Sequence, residues 1–305
     1  MSLFFNFILL YEFYFINFAK YFLINNKKVI SNKVVLVTGA SSGIGRALCL
    51  QLAQKGYRVA GMARNIDKLN ELDNEIKKLN SEFLPVQGDV RIESDCKKLI
   101  DITLEKWGRI DILINNAGIS MRALFDEVRL DVLHELMNTN FWGTVYCTYY
   151  ALPHLLKNKG SLVGVSSIAG YQALPARTGY SASKFAIQGF LNTIRIENLY
   201  TGLHVMIACP GFTASNIRNT ALTADGSQQK DTPLEEGKLM SAEKVASRII
   251  KGIEKRKRQV IMTTEGKLTV FLGKFFPALV DKLVFKDMLK EKNSPLIKKY
   301  PYGKN

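Results

Sequence analysis

Tyr180 and Lys184 stand four positions apart in the segment TGYSASK, residues 178–184. The Thr and Ser residues of the segment and the apolar run that follows predict a helix, in which both side chains lie on one face. A phenol ordinarily titrates at about 10, too high for efficient proton exchange at neutral pH. A lysine cation beside it lowers that pKa, so the pair is typical of a site where a tyrosine exchanges a proton with a carbonyl or an alcohol.

Two serines, Ser166 and Ser167, stand in GVSSIAG at the end of a predicted strand upstream of this pair. A hydroxyl there is suited to hydrogen-bond a substrate oxygen and to stabilise the negative charge that develops on it. Serines often end strands and Tyr/Lys pairs occur on many helices, so each feature alone is weak. Their combination with the motif described next favours catalysis.

The motif TGASSGIG, residues 38–45, follows the first predicted strand and opens the first predicted helix. Its glycines let the backbone approach a pyrophosphate closely, and the helix N-terminus offers free N–H groups and a partial positive charge. Because strand, turn and helix occur in the required order, the motif predicts a dinucleotide cradle rather than a simple tight turn.

The end of the second predicted strand indicates which dinucleotide fits. Ala63 stands where an acidic residue would hydrogen-bond the ribose hydroxyls of NAD, and Arg64 follows it. An arginine there can pair with the 2′-phosphate of NADP through charge-assisted hydrogen bonds, so NADP(H) is the predicted cofactor. The alternative is that Arg64 is an ordinary solvated loop cation.

Two further strand ends carry polar or small residues that suit a cofactor. Asp89, in GDV at residues 88–90, is placed to accept a hydrogen bond from an adenine amino group. The segment NNAG, residues 115–118, offers small residues against which a ribose can pack. Each is an ordinary turn by itself, and their place after successive strands is what indicates a binding site.

Short β-branched runs alternate with longer amphipathic runs from Lys33 onward, which predicts a single doubly wound α/β Rossmann domain with a seven-stranded parallel sheet. The predicted strands span residues 33–38, 57–62, 82–87, 110–115, 161–166, 204–209 and 258–263. The predicted helices span residues 44–55, 66–79, 93–107, 129–157, 179–200 and 241–256. We expect the catalytic domain to cover residues 32–265.

Two segments depart from this alternation. Residues 211–240 are rich in Gly, Ser, Thr and Gln and predict a long ligand-binding loop. Residues 266–291 have apolar positions at helical spacing, so a C-terminal amphipathic helical extension is predicted over residues 266–305, with Pro277 bending or dividing it. Three placements of this tail stay open: packing or a lid over the substrate, which we favour, a dimer contact, or docking on an anionic membrane with Lys267, Lys274, Lys282 and Lys286 near the head groups.

The N-terminal segment, residues 1–31, is apolar and aromatic but is interrupted by Asn6, Glu12, Asn17 and Lys20. Its length suits a signal anchor or an interfacial helix. Equally, it is composed of residues that AT-rich codons encode, so it is consistent with upstream sequence read from an early start codon. The two interpretations are left open.

Composition bounds the remaining function classes. The four cysteines are far apart and the three histidines have no metal-ligand spacing, so we predict buried thiols and no metal site. The formal net charge of +15 favours anionic partners without choosing among them. The basic run EKRKR, residues 254–258, lies at a predicted helix C-terminus, where the helix dipole favours cations, so we expect no nucleic acid partner.

Taken together, these motifs resemble the short-chain dehydrogenase/reductase family, in its hydroxysteroid-dehydrogenase-like branch, over roughly residues 32–265. The resemblance implies catalytic roles for Ser167, Tyr180, Lys184 and Asn140, the last holding a water that links the lysine to solvent, with Asn138 as a nearby competitor. The cofactor-binding residues that motifs and resemblance predict together are Gly39, Ser41, Ser42, Gly43, Ile44, Gly45, Arg64, Asp89, Val90, Asn115, Asn116, Ala117, Gly118, Tyr180, Lys184, Pro210, Gly211 and Thr213.

The expected function is therefore an NADP(H)-dependent oxidoreductase that interconverts a carbonyl and a secondary alcohol, reducing an apolar ketone or aldehyde. A non-catalytic NADP(H)-binding sensor is the alternative, although a sensor does not need the serine, tyrosine and lysine. The resemblance also implies a homodimer or homotetramer. We expect a cytoplasmic protein, with association to a membrane surface through the N-terminal segment as the alternative.

Overall fold

The computed structural model describes residues 32–214, 217–230 and 239–300. Its strands are β1 (Val34–Thr38), β2 (Arg58–Ala63), β3 (Phe83–Gln87), β4 (Ile112–Asn115), β5 (Ser161–Val165), β6 (His204–Cys209), β7 (Thr213–Ala214), β8 (Met240–Ser241) and β9 (Gln259–Ile261). Its helices are α1 (Gly43–Gln54), α2 (Ile66–Lys77), α3 (Glu93–Trp107), α4 (Leu130–Leu136), α5 (Gly143–Lys157), α6 (Thr178–Glu197), α7 (Ala242–Glu254), α8 (Thr264–Phe275), α9 (Pro277–Leu289) and α10 (Pro295–Lys299). The N-terminal segment, residues 1–31, for which two interpretations were left open, lies outside the described residues.

Seven of these strands form one parallel sheet in the order β3-β2-β1-β4-β5-β6-β9, which confirms the predicted doubly wound fold. The chain winds outward in both directions from β1 and β4, so their carboxyl ends border the crevice where such sheets bind ligands. A separate two-stranded pairing joins β7 to β8 across the predicted loop. The sheet thus brings the predicted strand-end residues to one edge.

Helices cover both faces of the sheet because its strands are apolar on both sides. Every residue of β1, β5 and β6 is buried, as expected for central parallel strands. One face packs against α1 and α7 through residues such as Leu48, Leu52 and Ile249. The other packs against α3, α5 and α6, with Leu99, Leu155 and Leu191 in its core. The four cysteines are free and buried within these layers.

The helix predicted over residues 129–157 is in fact interrupted. A π-helical turn, Met137–Trp142, separates α4 from α5. The wider turn carries Asn140, whose side chain is fully buried and hydrogen-bonds the backbone of Ile119 and the hydroxyl of Ser183. These tertiary hydrogen bonds accompany the irregular turn, and hydrophobic periodicity alone does not report them.

The tail forms separate helices rather than one bent helix. Pro277 is the first residue of α9, where its fixed φ suits a helix start and its missing N–H costs no hydrogen bond. The inner side of α9 and the short α10 bury Met288 and Leu296 against Leu124 and Ala176. The other predicted elements agree with the structure apart from one to three residues at their ends.

Candidate active site

The cradle after β1 has the geometry of an anion site. Gly39 adopts a φ of +68°, in the region that favours glycine. A Cβ atom on Gly45 would lie 2.1 Å from the Gly39 carbonyl oxygen, so only glycine lets α1 start this close to the loop. The first turn of α1 contains no acidic residue, and the Ser42 side chain makes no capping hydrogen bond. Its N–H groups are therefore available to a phosphate, together with Ser41, Gly43 and Ile44 beside them.

Thr38, the last residue of β1, connects this cradle to the loop after β4. Its hydroxyl oxygen accepts hydrogen bonds from the backbone N–H groups of Asn116 and Ala117, each at 3.0 Å. The Asn116 amide donates in return to the Thr38 carbonyl at 2.9 Å. The motif by itself does not reveal this role of Thr38, because its partners are 78 and 79 residues away.

Asp89, which follows β3, already pairs with a residue close to it in the sequence. The Asp89 carboxylate accepts from the Arg91 backbone N–H at 3.0 Å and from the Arg91 guanidinium at 2.6 Å. Burial alone would raise the pKa of Asp89, but the Arg91 hydrogen bonds hold it below its ordinary value. Val90 is buried against Gly143, whose Cβ position would lie 2.7 Å from the Val90 side chain. Asp89 is thus a charged, paired group at this edge.

Arg64 is exposed directly after β2, beside this pair. Its charge contributes to lowering the pKa of Asp89, which places the two groups near each other. Its carbonyl accepts from the Gln87 side chain at 3.2 Å. Within the described residues, its guanidinium forms no ion pair. Ala63, by contrast, is buried at the strand end.

The loop after β4 reaches the catalytic candidates. A Cβ atom on Gly118 would lie 3.1 Å from Asn140 Oδ1 and 3.4 Å from Lys184 Nζ, so this glycine permits close approach to both. Asn115 differs from the rest of its motif. Its side chain is buried away from this loop and donates to Thr148 Oγ1 on α5 at 3.1 Å.

Lys184 is buried at the centre of the site. Its Nζ donates to the Val165 carbonyl at the end of β5, at 2.9 Å, and lies 5.7 Å from the centroid of the Tyr180 ring. Burial lowers the pKa of Lys184 to about 8. The lysine is therefore able to exchange a proton near neutral pH.

Tyr180 is half-buried on the same face of α6, and burial raises its pKa. A hydrogen bond from the Ser167 side chain and the charge of Arg177 oppose that rise without overcoming it. The sequence predicts that Lys184 lowers the pKa of Tyr180, whereas in the structure this pKa is raised. Ser167 itself ends the β5 segment in extended conformation, and its hydroxyl also accepts from the Ala169 N–H at 3.2 Å.

Asn140 rather than Asn138 faces the lysine. Asn138 is exposed on the π turn, whereas Asn140 is completely buried next to the Lys184 ammonium group. The Asn140 Oδ1 accepts from the Ile119 N–H at 2.8 Å, and its Nδ2 donates to Ser183 Oγ at 2.8 Å. These bonds fix the side chain between the β4 loop and α6.

The segment after β6 closes the site from the other side. The Pro210 carbonyl accepts from the Ile168 N–H at 3.4 Å, just after Ser167. Gly211 lies against Thr263, whose Cγ2 would be 2.7 Å from an added Cβ atom. Thr213 is buried, and its hydroxyl donates to the Gly211 carbonyl at 3.0 Å. Parts of the predicted ligand loop, residues 215–216 and 231–238, lie outside the described residues.

Comparison with known proteins decides the family. The sequence model of short chain dehydrogenases matches residues 33–225. This chain is a short-chain dehydrogenase. It is 34% identical over 262 residues to a Dehydrogenase/reductase SDR family protein 7-like from Dictyostelium discoideum, covering 84% of this chain and 81% of that protein. It is 36% identical over 254 residues to the 11-beta-hydroxysteroid dehydrogenase-like 4A from Arabidopsis thaliana, covering 82% and 83% respectively.

A solved structure shares the fold of this short-chain dehydrogenase. An alcohol dehydrogenase from the archaeon Thermococcus sibiricus, complexed with 5-hydroxy-NADP, superposes with a TM-score of 0.65. The match has 22% sequence identity and covers 75% of this chain and 95% of that chain.

As a short-chain dehydrogenase, the protein is an oxidoreductase acting between carbonyl and alcohol with a nicotinamide cofactor. The residues present fit that cofactor. Gly39 and Gly45 lie close together, and because neither has a side chain, the backbone N–H groups there are uncovered. Among residues 32–214, 217–230 and 239–300, no helix is both long and apolar enough to cross a bilayer.

One part of this short-chain dehydrogenase was missed by sequence analysis. Glu291, after α9, is buried and forms ion pairs with Arg177 at 2.9 Å and with Arg122 at 3.2 Å. Arg177 immediately precedes α6, and its charge acts on Tyr180. The only available signal was a glutamate inside a lysine-rich tail, which does not identify a partner 114 residues earlier.

Proposed function

We propose that this short-chain dehydrogenase uses NADPH to reduce an apolar ketone or aldehyde, with Tyr180 as the proton donor. The observation that carries the proposal is the meeting of Ser167, Tyr180 and Lys184, of which Lys184 lies beside Gly118 in the loop after β4. A set that only bound a dinucleotide would not need a serine hydroxyl and a phenol at this point.

Each side chain then has a role in moving a proton. The bound cofactor supplies the hydride to the carbonyl carbon. The Ser167 hydroxyl hydrogen-bonds the carbonyl oxygen and holds it near the phenol. Tyr180 Oη gives its proton to that oxygen as it becomes an alcohol, which leaves a phenolate.

Lys184 restores the phenol and also stabilises the phenolate. With a pKa of about 8 it holds a proton in most of the molecules at neutral pH and can pass it on. Asn140, buried beside it, keeps the β4 loop and α6 at a fixed separation through Ile119 and Ser183. Its proposed water link between lysine and solvent is consistent with that position.

The pKa of Tyr180 favours the reductive direction. Reduction requires a phenol that carries its proton, whereas oxidation requires the phenolate. Because burial raises this pKa, the protonated form predominates at neutral pH. Tyr180 is therefore in the form that can donate a proton at neutral pH, as reduction requires.

The substrate side of Tyr180 is apolar. Its ring packs in a cluster with Met121, Leu222, Val132 and Leu133. This cluster supports an apolar carbonyl compound as substrate. Relatives named 11-beta-hydroxysteroid dehydrogenase 1A in Arabidopsis thaliana and 11-beta-hydroxysteroid dehydrogenase A in Arachis hypogaea support a steroid or another lipid-like carbonyl.

The choice of NADPH rests on Arg64, with Ala63 in place of an acid. We expect NADPH to bind more tightly than NADH, and Arg64→Ala to remove most of that preference, since one charge-assisted pair contributes about 1.5–3 kcal/mol. Fluorescence titration with each cofactor measures this. Arg256→Ala is the matched control, because Arg256 bonds carbonyls of Lys159 and Gly202 at the opposite edge of the sheet. Equal binding of both cofactors to the parent protein would refute the assignment.

The proton-donor role is tested by Tyr180→Phe. We expect the rate of ketone reduction to fall by about 10²–10⁴-fold while NADPH affinity changes little, since only the hydroxyl is lost. A variant that retains the parent rate would contradict the role of Tyr180. If the parent binds NADPH but reduces no apolar carbonyl, the non-catalytic sensor becomes the better proposal. The predicted dimer or tetramer and the cytoplasmic location stay predictions.

A further inference from the structure

The outer side of α8 and α9 is apolar and exposed. Its six large side chains are between 51% and 63% exposed: Leu268, Phe271, Phe275, Phe276, Leu279 and Leu283. They recur at spacings of three or four, so each helix presents them on one side, and Phe275 and Phe276 meet at the corner between the helices. We call these six residues the outer apolar face.

This face is not needed for the core of the tail. The opposite side of α9 already buries Val280 and Met288, and Val284, Phe285 and Leu289 pack against the same cluster. An exposed row of this size on a helix that is already packed marks an interaction surface. Single apolar residues scattered over a surface would not indicate an interaction surface, because they are common on folded proteins.

Lysines flank the outer apolar face. Lys267 and Lys274 lie on one flank of the α8 row, and Lys282 and Lys286 on one flank of the α9 row, by helical spacing. All four are exposed, and none forms an ion pair within the described residues. Residues 264–300 contain eight lysines and four carboxylates, of which Glu291 is buried in its own ion pairs.

We propose that the outer apolar face docks on an anionic phospholipid surface. Apolar and aromatic side chains entering the interface while flanking lysines reach the head groups is the pattern of helices that lie in a membrane surface. A second copy of the chain is a poorer occupant, because it would set lysine against lysine in a protein of formal net charge +15. Charge complementarity selects the lipid.

The docked helices adjoin the candidate active site. Gly266, at the start of α8, lies against Ile168, with only 2.5 Å from an added Cβ to Ile168 Cδ1. The Gln172 amide donates to Asp281 on α9 at 2.9 Å. Both contacts involve the segment that follows Ser167. Docking would therefore bring the site near the bilayer, where an apolar substrate concentrates; this last step alone rests on the proposed function.

A probe on the face itself tests the docking, whatever the N-terminal segment does. Because the four native cysteines are buried, Phe271→Cys in the full chain allows selective labelling with an environment-sensitive fluorophore. Leu199→Cys is the matched control, since Leu199 is exposed by 62% after the end of α6, compared with 59% for Phe271. Each labelled protein is mixed with vesicles of phosphatidylcholine, with and without phosphatidylserine.

We expect the probe at position 271 to brighten several-fold on phosphatidylserine vesicles and to be quenched by a nitroxide lipid, while the probe at 199 does neither. Lys274→Gln together with Lys286→Gln weakens that binding by about fivefold per lysine, with no matching loss on neutral vesicles. Three results would overturn the proposal. The fluorescence of the probe at position 271 does not change on vesicles, the probes at 271 and 199 respond equally, or the fluorescence at 271 changes with protein concentration in the absence of lipid. Failure of the oxidoreductase proposal appears separately, in the lipid-free NADPH titration.

Discussion

Two regions flank the Tyr180 and Lys184 pair, and they are held in different ways. On the cofactor side, the loops after β1 and β4 are joined by backbone groups, the Thr38 hydroxyl and close-packed glycines. On the tail side, charged side chains do the joining: Glu291 lies between Arg122 and Arg177. The close packing of the cofactor region therefore depends on glycines, whereas the attachment of the tail depends on particular charged side chains.

This difference predicts which substitutions would destabilise each region. A glycine contact fails by steric overlap as soon as any side chain is added. A buried ion pair fails when one partner loses its charge, because the other charge is then left without compensation in a medium of low dielectric constant. The following predictions separate the two kinds of dependence, in order of decreasing effect.

Glu291→Gln should be the most damaging change. It keeps the side-chain shape but leaves the buried charge of Arg177 without the carboxylate that it pairs with, so we expect a loss of about 3–5 kcal/mol in the free energy of unfolding. Urea denaturation measures it. Asp126→Asn is the control, since it removes an exposed ion pair between the same tail and the body of the protein, with Lys299. Equal stability of the two variants would show that the tail is not held by the buried cluster.

Gly45→Ala should damage the cofactor side instead. Its Cβ would lie 2.1 Å from the Gly39 carbonyl oxygen, so α1 must move, and a shift of about 1 Å can reduce kcat/KM for NADPH by about 100-fold. Steady-state kinetics and an NADPH titration measure this. Gly189→Ala is the matched helical control, because nothing lies within 4 Å of its added Cβ. An unchanged cofactor affinity in Gly45→Ala would contradict the steric argument.

The smallest expected effect is the contribution of Lys184 to the pH dependence of the free energy of unfolding. Its folded pKa of about 8 lies below its ordinary value of 10.5, so above pH 8 the unfolded chain binds more protons and folding gains stability. Relative to Lys184→Met, the parent should gain about 1 kcal/mol from pH 8 to pH 9, because the folded lysine is still half protonated at pH 8. Comparing the two proteins is essential, since buried thiols such as Cys49, with a raised pKa, lower the stability of both over this range.

A constant difference between parent and Lys184→Met across that range would mean that Lys184 keeps its ordinary pKa. The experiment uses urea denaturation at each pH. Lys184 lies between the two regions, because its position on α6 is next to Gly118, the glycine of the loop after β4.

Much of the cofactor side was readable from the sequence. The cradle motif is local: strand, glycine turn and helix follow one another within residues 34–54, so neighbouring residues encode the geometry. The seven-stranded parallel sheet, the C-terminal helices and the family were predicted and are confirmed. The roles of the individual site residues stay predictions, although Asn140 lies beside Lys184 as expected.

Other details were not readable. The division at Pro277 was open between a bend and a break, and the structure shows a break, which suits proline as the first residue of a helix. The π turn at Asn140 was missed, because it accompanies hydrogen bonds to the distant residues Ile119 and Ser183. The same holds for the raised pKa of Tyr180, because a sequence shows the neighbouring lysine but not the burial that outweighs it.

The sequence by itself determined the order of strands and helices along the chain, the glycine turn after β1, and which tyrosine, lysine and serine are the catalytic candidates. These depend on hydrophobic periodicity and on glycine conformation, which act over a few residues. Only the tertiary structure decided that Glu291 pairs with Arg122 and Arg177, that Thr38 holds the β4 loop, and that the outer apolar face is exposed. Burial and charge pairing depend on which distant segments meet, and that is a property of the folded chain.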